Sequence, residues 1–308
     1  MEPSAPVAAI DCGTNTIKLL IGELPDVAVR EMRMVRLGQD LDRTGRFADE
    51  ALERAFGAVD EYAALVREHG VPTSRIRFCA TSASRDAENA DVFVAGVRER
   101  LGVEPEVVPG AEEAALSFDG AVRNLRTPPA TPVLVIDVGG GSTELILGAD
   151  GPDAADSMDI GSVRLHERHL HSDPPTDAEV AACVADIDAH LDRCPVAPSE
   201  AATVVGVAGT VTTLAAAVLD LPSYDREAID QAELAVADVH DTVERLLGMT
   251  VAERRALPYL HPGRADVIGA GGLILARVLA RSHLPTMIAS ESDILDGIAW
   301  SIEGRQPG

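Results

Sequence analysis

The chain has 308 residues, of which 46% are hydrophobic, 25% charged and 3% aromatic, a composition typical of a soluble globular protein and not of a fibrous or disordered one. At roughly 150 residues per domain, this length predicts two domains. The 26 basic and 50 acidic residues give a formal net charge of -24, which disfavours binding to nucleic-acid phosphates, so we expect no nucleic-acid partner.

The four cysteines form no CxxC pair and have no metal-ligand spacing, and the first ten residues lack the basic and apolar segments of a signal peptide. We therefore expect a reduced, cytoplasmic protein. The longest uncharged stretch, 201–219, is long enough to cross a bilayer, but Gly206 and Gly209 divide it into a strand, a turn and a helix. We expect no membrane span.

The chain begins with an apolar run at 7–10, the segment DCGTNT at 11–16 and a second apolar run at 17–24. This pattern predicts a β-hairpin with a glycine-containing turn. The remaining predictions for this half are a third strand at 27–37, a helix at 48–69, a strand at 75–80, and helices at 87–101 and 112–125.

The same order returns in the second half, with strands at 133–136 and 144–147 around DVGGGST at 137–143. Residues 10–22 align with 136–148 without a gap, so the sequence predicts a duplicated α/β domain with mixed sheets. The other predicted elements are strands at 155–160 and 203–207, a helix at 211–221, mostly helical sequence to 302, and a last helix at 294–302. Three prolines at 127–132 indicate the linker, which gives domains at 1–128 and 129–308, with the last helix packing on either one.

The two turns carry the chemistry. Gly13 in the first turn and Gly139, Gly140 and Gly141 in the second expose backbone N–H groups, and such groups suit a phosphate. One such turn is common in loops, but two in register indicate a two-sided phosphate clamp across an interdomain cleft. Asp11 and Asp137 precede the turns, where a carboxylate binds Mg2+ directly or through water. The hydroxyls expected to donate to phosphate oxygens are those of Thr14, Thr16, Ser142 and Thr143.

Seven segments together resemble the exopolyphosphatase and guanosine pentaphosphate phosphohydrolase family, a branch of the superfamily of acetate kinase, sugar kinases, heat-shock chaperones and actin. The resemblance covers nearly the whole chain. The segments are DCGTNT at 11–16, ATSASRDAEN at 80–89, GAEEAALSF at 110–118, DVGGGSTEL at 137–145, GSVRL at 161–165, VAGT at 207–210 and SESDILDGI at 290–298.

The resemblance implies two ribonuclease H-like (actin-like ATPase) domains and Mg2+-dependent hydrolysis of a terminal phosphoanhydride, in inorganic polyphosphate or guanosine pentaphosphate. It implies that Glu113 is the general base for water and that Arg85 contacts the phosphates. It implies that Glu144 lies at the metal. Homodimers are also an expectation from the family. The phosphate-binding residues it implies are Gly13, Thr14, Asn15, Thr16, Gly139, Gly140, Gly141, Ser142, Thr143, Gly209 and Thr210.

Each residue also has a simpler interpretation. Glu112 and Glu113 are typical first-turn helix glutamates, and Arg85 has Asp86 and Glu88 nearby in the sequence. Lys18, which aligns with Glu144, also suits an outward position on a strand. The segment HERHLH at 166–171 lacks metal-ligand spacing and is interpreted as a polar helix end.

The functional alternatives are guanosine pentaphosphate hydrolysis, a kinase or filament protein of the same fold, and a protein that binds polyphosphate or alarmone without hydrolysing it. Glu113 and the segment at 81–85 favour a phosphatase over a kinase. The family's long members carry further C-terminal helical domains, so the 308-residue chain is expected to be the short form, with a preference for short polyphosphates.

Overall fold

The computed structural model describes residues 5–304, except for the side chain of Ser82. The chain divides into two compact units. The first contains the described residues up to Gly120 together with those from Ile294 onward, and the second extends from Ala121 to Asp293.

Eleven strands and thirteen α-helices are distributed over the described residues. In chain order they are β1 (Val7–Cys12), β2 (Thr16–Glu23), β3 (Asp26–Met34), α1 (Leu41–Thr44), α2 (Asp49–Glu68), β4 (Ile76–Ala80), α3 (Ser82–Asp86), α4 (Ala90–Leu101), β5 (Glu106–Val107), α5 (Gly110–Arg123), β6 (Val133–Val138), β7 (Thr143–Gly148), β8 (Pro152–Met158), α6 (Ser162–His169), α7 (Asp177–Leu191), β9 (Thr203–Val207), α8 (Ala208–Val218), α9 (Arg226–Ile229), β10 (Ala232–Ala235), α10 (Val236–Leu247), α11 (Val251–Arg255), α12 (Ile268–Ser282), β11 (Thr286–Ala289) and α13 (Ile294–Gly304).

The sheet of the first unit has the strand order β3-β2-β1-β4-β5, in which β1 is antiparallel to β2 and parallel to β4. Side chains along β1 alternate between two apolar clusters. Ile10 belongs to the cluster that contains Tyr62 of α2 and Phe93 of α4, and Ala9 belongs to the cluster that contains Ile298 of α13. Helices therefore cover both faces of this sheet.

Helix α13 belongs to the first unit because it packs on strands β1, β2 and β4, and it also approaches α5 closely. A Cβ atom at Gly297 would lie 1.9 Å from the carbonyl oxygen of Leu116, so only glycine permits this approach. The sequence left open which domain the last helix packs on, and α13 is part of the first unit. The first unit ends at Gly120, inside α5, and the proline-containing segment 127–132 lies within the second unit.

The sheet of the second unit has the order β10-β11-β9-β6-β7-β8, and β6, β9 and β11 are parallel to one another. The uncharged stretch 201–219 forms β9 and α8, as predicted. Within residues 5–304, no helix has both the length and the apolar character needed to cross a membrane.

The predicted fold class, two mixed sheets with covering helices, is confirmed. The region after the helix at 211–221 is mostly helical, as predicted, but it also contains two short strands, β10 and β11. Each has four residues, too few for a strand period to appear in the sequence, and they form because they pair with each other while β11 also joins β9.

Candidate active site

The predicted turn of the first unit lies between β1 and β2 and is held by backbone hydrogen bonds. The Gly13 N–H donates to the Thr16 carbonyl at 3.0 Å, which closes the turn. The Thr14 carbonyl accepts from Gly38 at 2.9 Å, and the Asn15 carbonyl accepts from Arg36 at 2.9 Å. The Asn15 side-chain oxygen is buried without a hydrogen-bond partner among the described residues, as expected for an amide that awaits a ligand.

Parallel strands β1, β4 and β5 place three chain segments at one edge of the first sheet. These are the turn after β1, helix α3 with Arg85 and helix α5 with Glu113. Arg85 Nη1 donates to Glu113 Oε2 at 2.5 Å and to the Val108 carbonyl at 3.0 Å. The two residues predicted from separate motifs are therefore brought into contact.

Arg85 has two further donor nitrogens, Nε and Nη2, in addition to the Nη1 that contacts Glu113. No described residue accepts a hydrogen bond from its Nε or Nη2, and the side chain is 24% exposed. A guanidinium offers this pair of donors as a planar fork that matches two phosphate oxygens. Arg85 can therefore hold Glu113 with one nitrogen while its other edge faces a phosphate.

Glu112 and Glu113 differ sharply in their surroundings. The Glu113 side chain is 8% exposed and contacts Arg85, whereas that of Glu112 is 42% exposed and contacts Arg77 at 2.5 Å. Arg77 also holds Glu106 at 2.8 Å, so Glu112 takes part in a structural ion-pair network. Of the two glutamates, only Glu113 has the burial and the partner expected of a residue that meets the substrate.

The turn of the second unit is closed by the same kind of backbone hydrogen bond as the turn of the first. The Gly139 N–H donates to the Ser142 carbonyl at 3.1 Å, which matches the bond from Gly13 to Thr16. The loop lies against the beginning of α6, where a Cβ at Gly161 would lie 2.4 Å from the Gly140 carbonyl. Parallel strands place this loop, the beginning of α8 after β9 and the loop after β11 at one edge of the second sheet.

The carboxylates next to the two turns have different partners across the hairpin. Asp137 pairs in register with Glu144, and both are buried. Asp11 pairs in register with Lys18, whose Nζ lies 3.6 Å from Asp11 Oδ2. Opposite residues on an antiparallel pair share one face of the sheet, so the second unit brings two carboxylates together where the first unit forms an ion pair.

The carboxylates beside the two turns are the candidate ligands of the implied Mg2+. No group of three or more His, Cys, Asp or Glu side chains within residues 5–304 could hold a metal ion. Magnesium is commonly bound by one or two carboxylates with water and substrate phosphates, so Asp137 and Glu144 suit it as a pair. Glu144 Oε1 also accepts from Ser157 at 2.6 Å, which fixes its orientation. Asp11, beside an ammonium group, suits it less well.

Gly209 and Thr210, which the resemblance assigns to a third glycine loop, lie in the first turn of α8, and a residue that the sequence did not reveal contacts Gly209. Arg264 Nη1 donates to the Gly209 carbonyl at 3.0 Å, and its guanidinium occupies the space of any side chain at 209. Burial lowers the pKa of Arg264. The Tyr224 hydroxyl lies nearby, 2.5 Å from Glu291 Oε1. These residues are distant in sequence from Gly209, and no local motif signals them.

The predicted hydroxyls do not all remain available. The Thr143 hydroxyl is fully buried and donates to the Ile160 carbonyl at 2.7 Å, so its hydrogen supports the hairpin. Thr14 and Ser142 are buried at their turns. The HERHLH segment lies at the end of α6, where His169 and Arg168 both contact Asp186 at 2.8 Å, and this agrees with a polar helix end.

The cysteine thiols are poor nucleophiles, because burial raises the pKa of each one. The pKa rises above its ordinary range at Cys12, to about 12 at Cys79 and Cys183, and to about 11 at Cys194. A protonated thiol neither attacks phosphorus nor binds a metal. The cysteines are therefore not candidates for the nucleophile.

The duplicated strand order and the glycine turns define an α/β protein with the actin-like two-domain fold. The model of the Ppx/GppA phosphatase family matches residues 20–306, and the chain belongs to this family. It is a hydrolase of phosphoanhydride bonds.

The relatives agree with this assignment. The chain is 48% identical to Exopolyphosphatase 2 of Mycobacterium tuberculosis, over 97% of this chain and 98% of the relative. A crystal structure of an exopolyphosphatase-like protein is 46% identical, with a TM-score of 0.92 over 96% of this chain and 98% of the other. The chain is 29% identical to a guanosine-5'-triphosphate,3'-diphosphate pyrophosphatase of Photobacterium profundum, over 99% of this chain and 61% of that relative.

Proposed function

We propose that the protein is an exopolyphosphatase that releases terminal orthophosphate from inorganic polyphosphate by in-line attack of water. The observation that carries this proposal is the contact between Arg85 and Glu113, 2.5 Å apart at the carboxyl edge of the first sheet. It pairs a phosphate-binding cation with a buried carboxylate, the two groups that phosphoryl transfer to water requires. The 48% identity to an exopolyphosphatase supports the choice of substrate.

Glu113 is the proposed general base. A carboxylate has about four lone-pair positions, so the hydrogen bond from Arg85 leaves capacity to accept a proton from water. The same bond fixes the orientation of the carboxylate. Because the cysteine thiols are protonated, water is the nucleophile we propose, and Glu113 orients it toward the terminal phosphorus.

The other residues bind and orient the polyanion. The Nε and Nη2 atoms of Arg85 donate to phosphate oxygens, and the backbone N–H groups of the two glycine turns supply further donors. Asp137 and Glu144 would hold Mg2+. When bound, this ion neutralises negative charge on the phosphates.

A preference for short chains is part of the proposal. The protein carries a formal charge of -24, so segments of a long polyanion beyond the binding residues are repelled. Repulsion between exposed charges is screened by salt. The preference for short over long polyphosphate should therefore weaken as the ionic strength rises.

The test compares orthophosphate release by the purified protein from short polyphosphate, long polyphosphate, guanosine pentaphosphate and ATP, and it repeats the assay with the base variant Glu113→Gln. We expect the fastest release from short polyphosphate and very little from the variant. A preference for guanosine pentaphosphate would instead assign the protein to alarmone hydrolysis. Binding without release from any substrate would contradict hydrolysis and favour a binding protein.

A further inference from the structure

The carbonyl groups of the second glycine turn all point toward the beginning of α6. Ser162 N–H donates to the Gly139 carbonyl at 2.9 Å, and Val163 N–H donates to the Gly140 carbonyl at 2.9 Å. The Gly141 carbonyl has a different donor, the side-chain Nε of Arg164, at 2.9 Å. Backbone amides thus hold the first two carbonyls, and a single side chain holds the third.

This pattern fixes where the loop amides point. In a planar trans peptide, the C=O of one residue and the N–H of the next point in opposite directions. Carbonyls 139–141 face α6, so the N–H groups of residues 140–142 face away from it. None of these three amides donates to another backbone group among the described residues, which leaves them available to an anion.

We propose that Arg164 is a positioning residue, whose Nε holds the Gly141 carbonyl so that the Ser142 N–H stays aimed at the phosphate. The inference rests on the proposed function, which gives this loop its ligand. In the first unit, the backbone amides of Val35, Arg36 and Gly38 hold the carbonyls of the turn. The second loop has three consecutive glycines, which restrain the backbone least, and therefore needs the added support.

Three substitutions separate the hydrogen bond from the charge. Glutamine places an N–H donor at the same distance along the side chain as arginine Nε but carries no charge. Lysine keeps the charge and has a methylene group at that position. Methionine has neither the charge nor the donor. Arg168→Met is the matched control, because Arg168 lies on the same helix and bonds to Asp186.

If Arg164 acts through Nε, Arg164→Gln should keep a KM for short polyphosphate within about twofold of the parent protein. Arg164→Lys and Arg164→Met should raise KM about fivefold or more, the effect of one lost hydrogen bond, with kcat little changed. A lysine variant with the parent KM beside a glutamine variant as impaired as methionine would overturn the proposal, because the charge would then be what matters.

Hydrogen exchange provides a readout that does not require turnover. Loss of the bond to Gly141 should loosen the loop and speed exchange at the amides of residues 162–164 in the lysine and methionine variants but not in Arg164→Gln. Unchanged exchange in all variants would overturn the positioning role. If the parent protein releases no orthophosphate from polyphosphate, the proposed function fails, and exchange alone then decides the role of Arg164.

Discussion

The turns of the two units are closed by the same backbone hydrogen bond, but they differ in the residue that lies opposite the aspartate across the hairpin. Both are closed by a glycine N–H that donates to the carbonyl three residues later, at 3.0 Å in the first unit and 3.1 Å in the second. Across the hairpin, Asp11 meets Lys18, whereas Asp137 meets Glu144. The two units therefore share the geometry of the turn and differ in the charge beside it.

This difference suggests a division of roles. The edge of the first sheet carries two opposite-charge contacts, Lys18 with Asp11 and Arg85 with Glu113. At the edge of the second sheet, two carboxylates lie opposite each other. Backbone amides at the beginning of α6 hold the glycine loop there. We propose that the first unit orients the attacking water and accepts its proton through Glu113. The second unit would bind Mg2+ through Asp137 and Glu144 and would position its glycine loop.

The largest expected effect is at Glu113. Glu113→Gln should lower kcat by about 10²–10⁴, the usual contribution of a general base, while KM for polyphosphate stays near that of the parent protein. The amide keeps the size of the side chain but cannot accept the proton from water. Steady-state orthophosphate release measures both constants.

Glu112→Gln is the control for that experiment, since Glu112 is the adjacent glutamate and contacts Arg77. It should leave kcat near the parent value. Equal losses in the two variants would indicate a structural role for this turn of α5, and a Glu113→Gln protein with parent kcat would remove Glu113 from the base role.

Exchanging the charges opposite the aspartates tests the division directly. Glu144→Lys gives the second hairpin the ion pair of the first, and it should raise the Mg2+ concentration for half-maximal activity about tenfold or more. Lys18→Glu makes the reverse change and should shift this concentration much less. A magnesium titration of activity measures both, and equal shifts would place Asp11 at the metal as well.

The sequence predicted the parts of the site that depend on local pattern. The hairpins, their turns and β9 follow from apolar runs and glycines that are close along the chain. Arg85 and Glu113 belong to separate sequence motifs, and their contact depends on β4 and β5 lying side by side, which no local pattern predicts. Arg264 and Arg164 contact residues 55 and 23 positions away in the sequence, so only tertiary structure reveals these two contacts.

A smaller effect is expected at Arg85. Arg85→Lys should raise KM for polyphosphate about tenfold, because one ammonium group cannot bond to Glu113 and also offer a planar pair of donors to a phosphate. Arg46→Lys is the control, since Arg46 is an exposed arginine of the same unit that contacts Glu88 at 3.5 Å. A parent KM in Arg85→Lys would show that a single charge suffices.

The smallest effects are expected from glycine substitutions next to the two turns, which compare how tightly each turn is packed against its neighbours. A Cβ at Gly161 would lie 2.4 Å from the Gly140 backbone, whereas a Cβ at Gly38 would lie 2.3 Å from a methyl group of Thr14. A backbone obstacle forces the loop to move, while a side-chain methyl can turn away. We therefore expect Gly161→Ala to lower the free energy of unfolding by about 1–3 kcal/mol and to raise KM, and Gly38→Ala to do less.

Gly57→Ala completes this set, because Gly57 is exposed on α2 and a Cβ there would meet no atom within 4 Å. Alanine in an exposed helix should stabilise the protein by up to about 1 kcal/mol. Urea unfolding gives the three free energies, and polyphosphate titration gives the three KM values. If Gly38→Ala proved as damaging as Gly161→Ala, Thr14 would be held as rigidly as the Gly140 backbone. The two turns would then be equally restrained, and the greater dependence of the second on its supporting helix would be disproved.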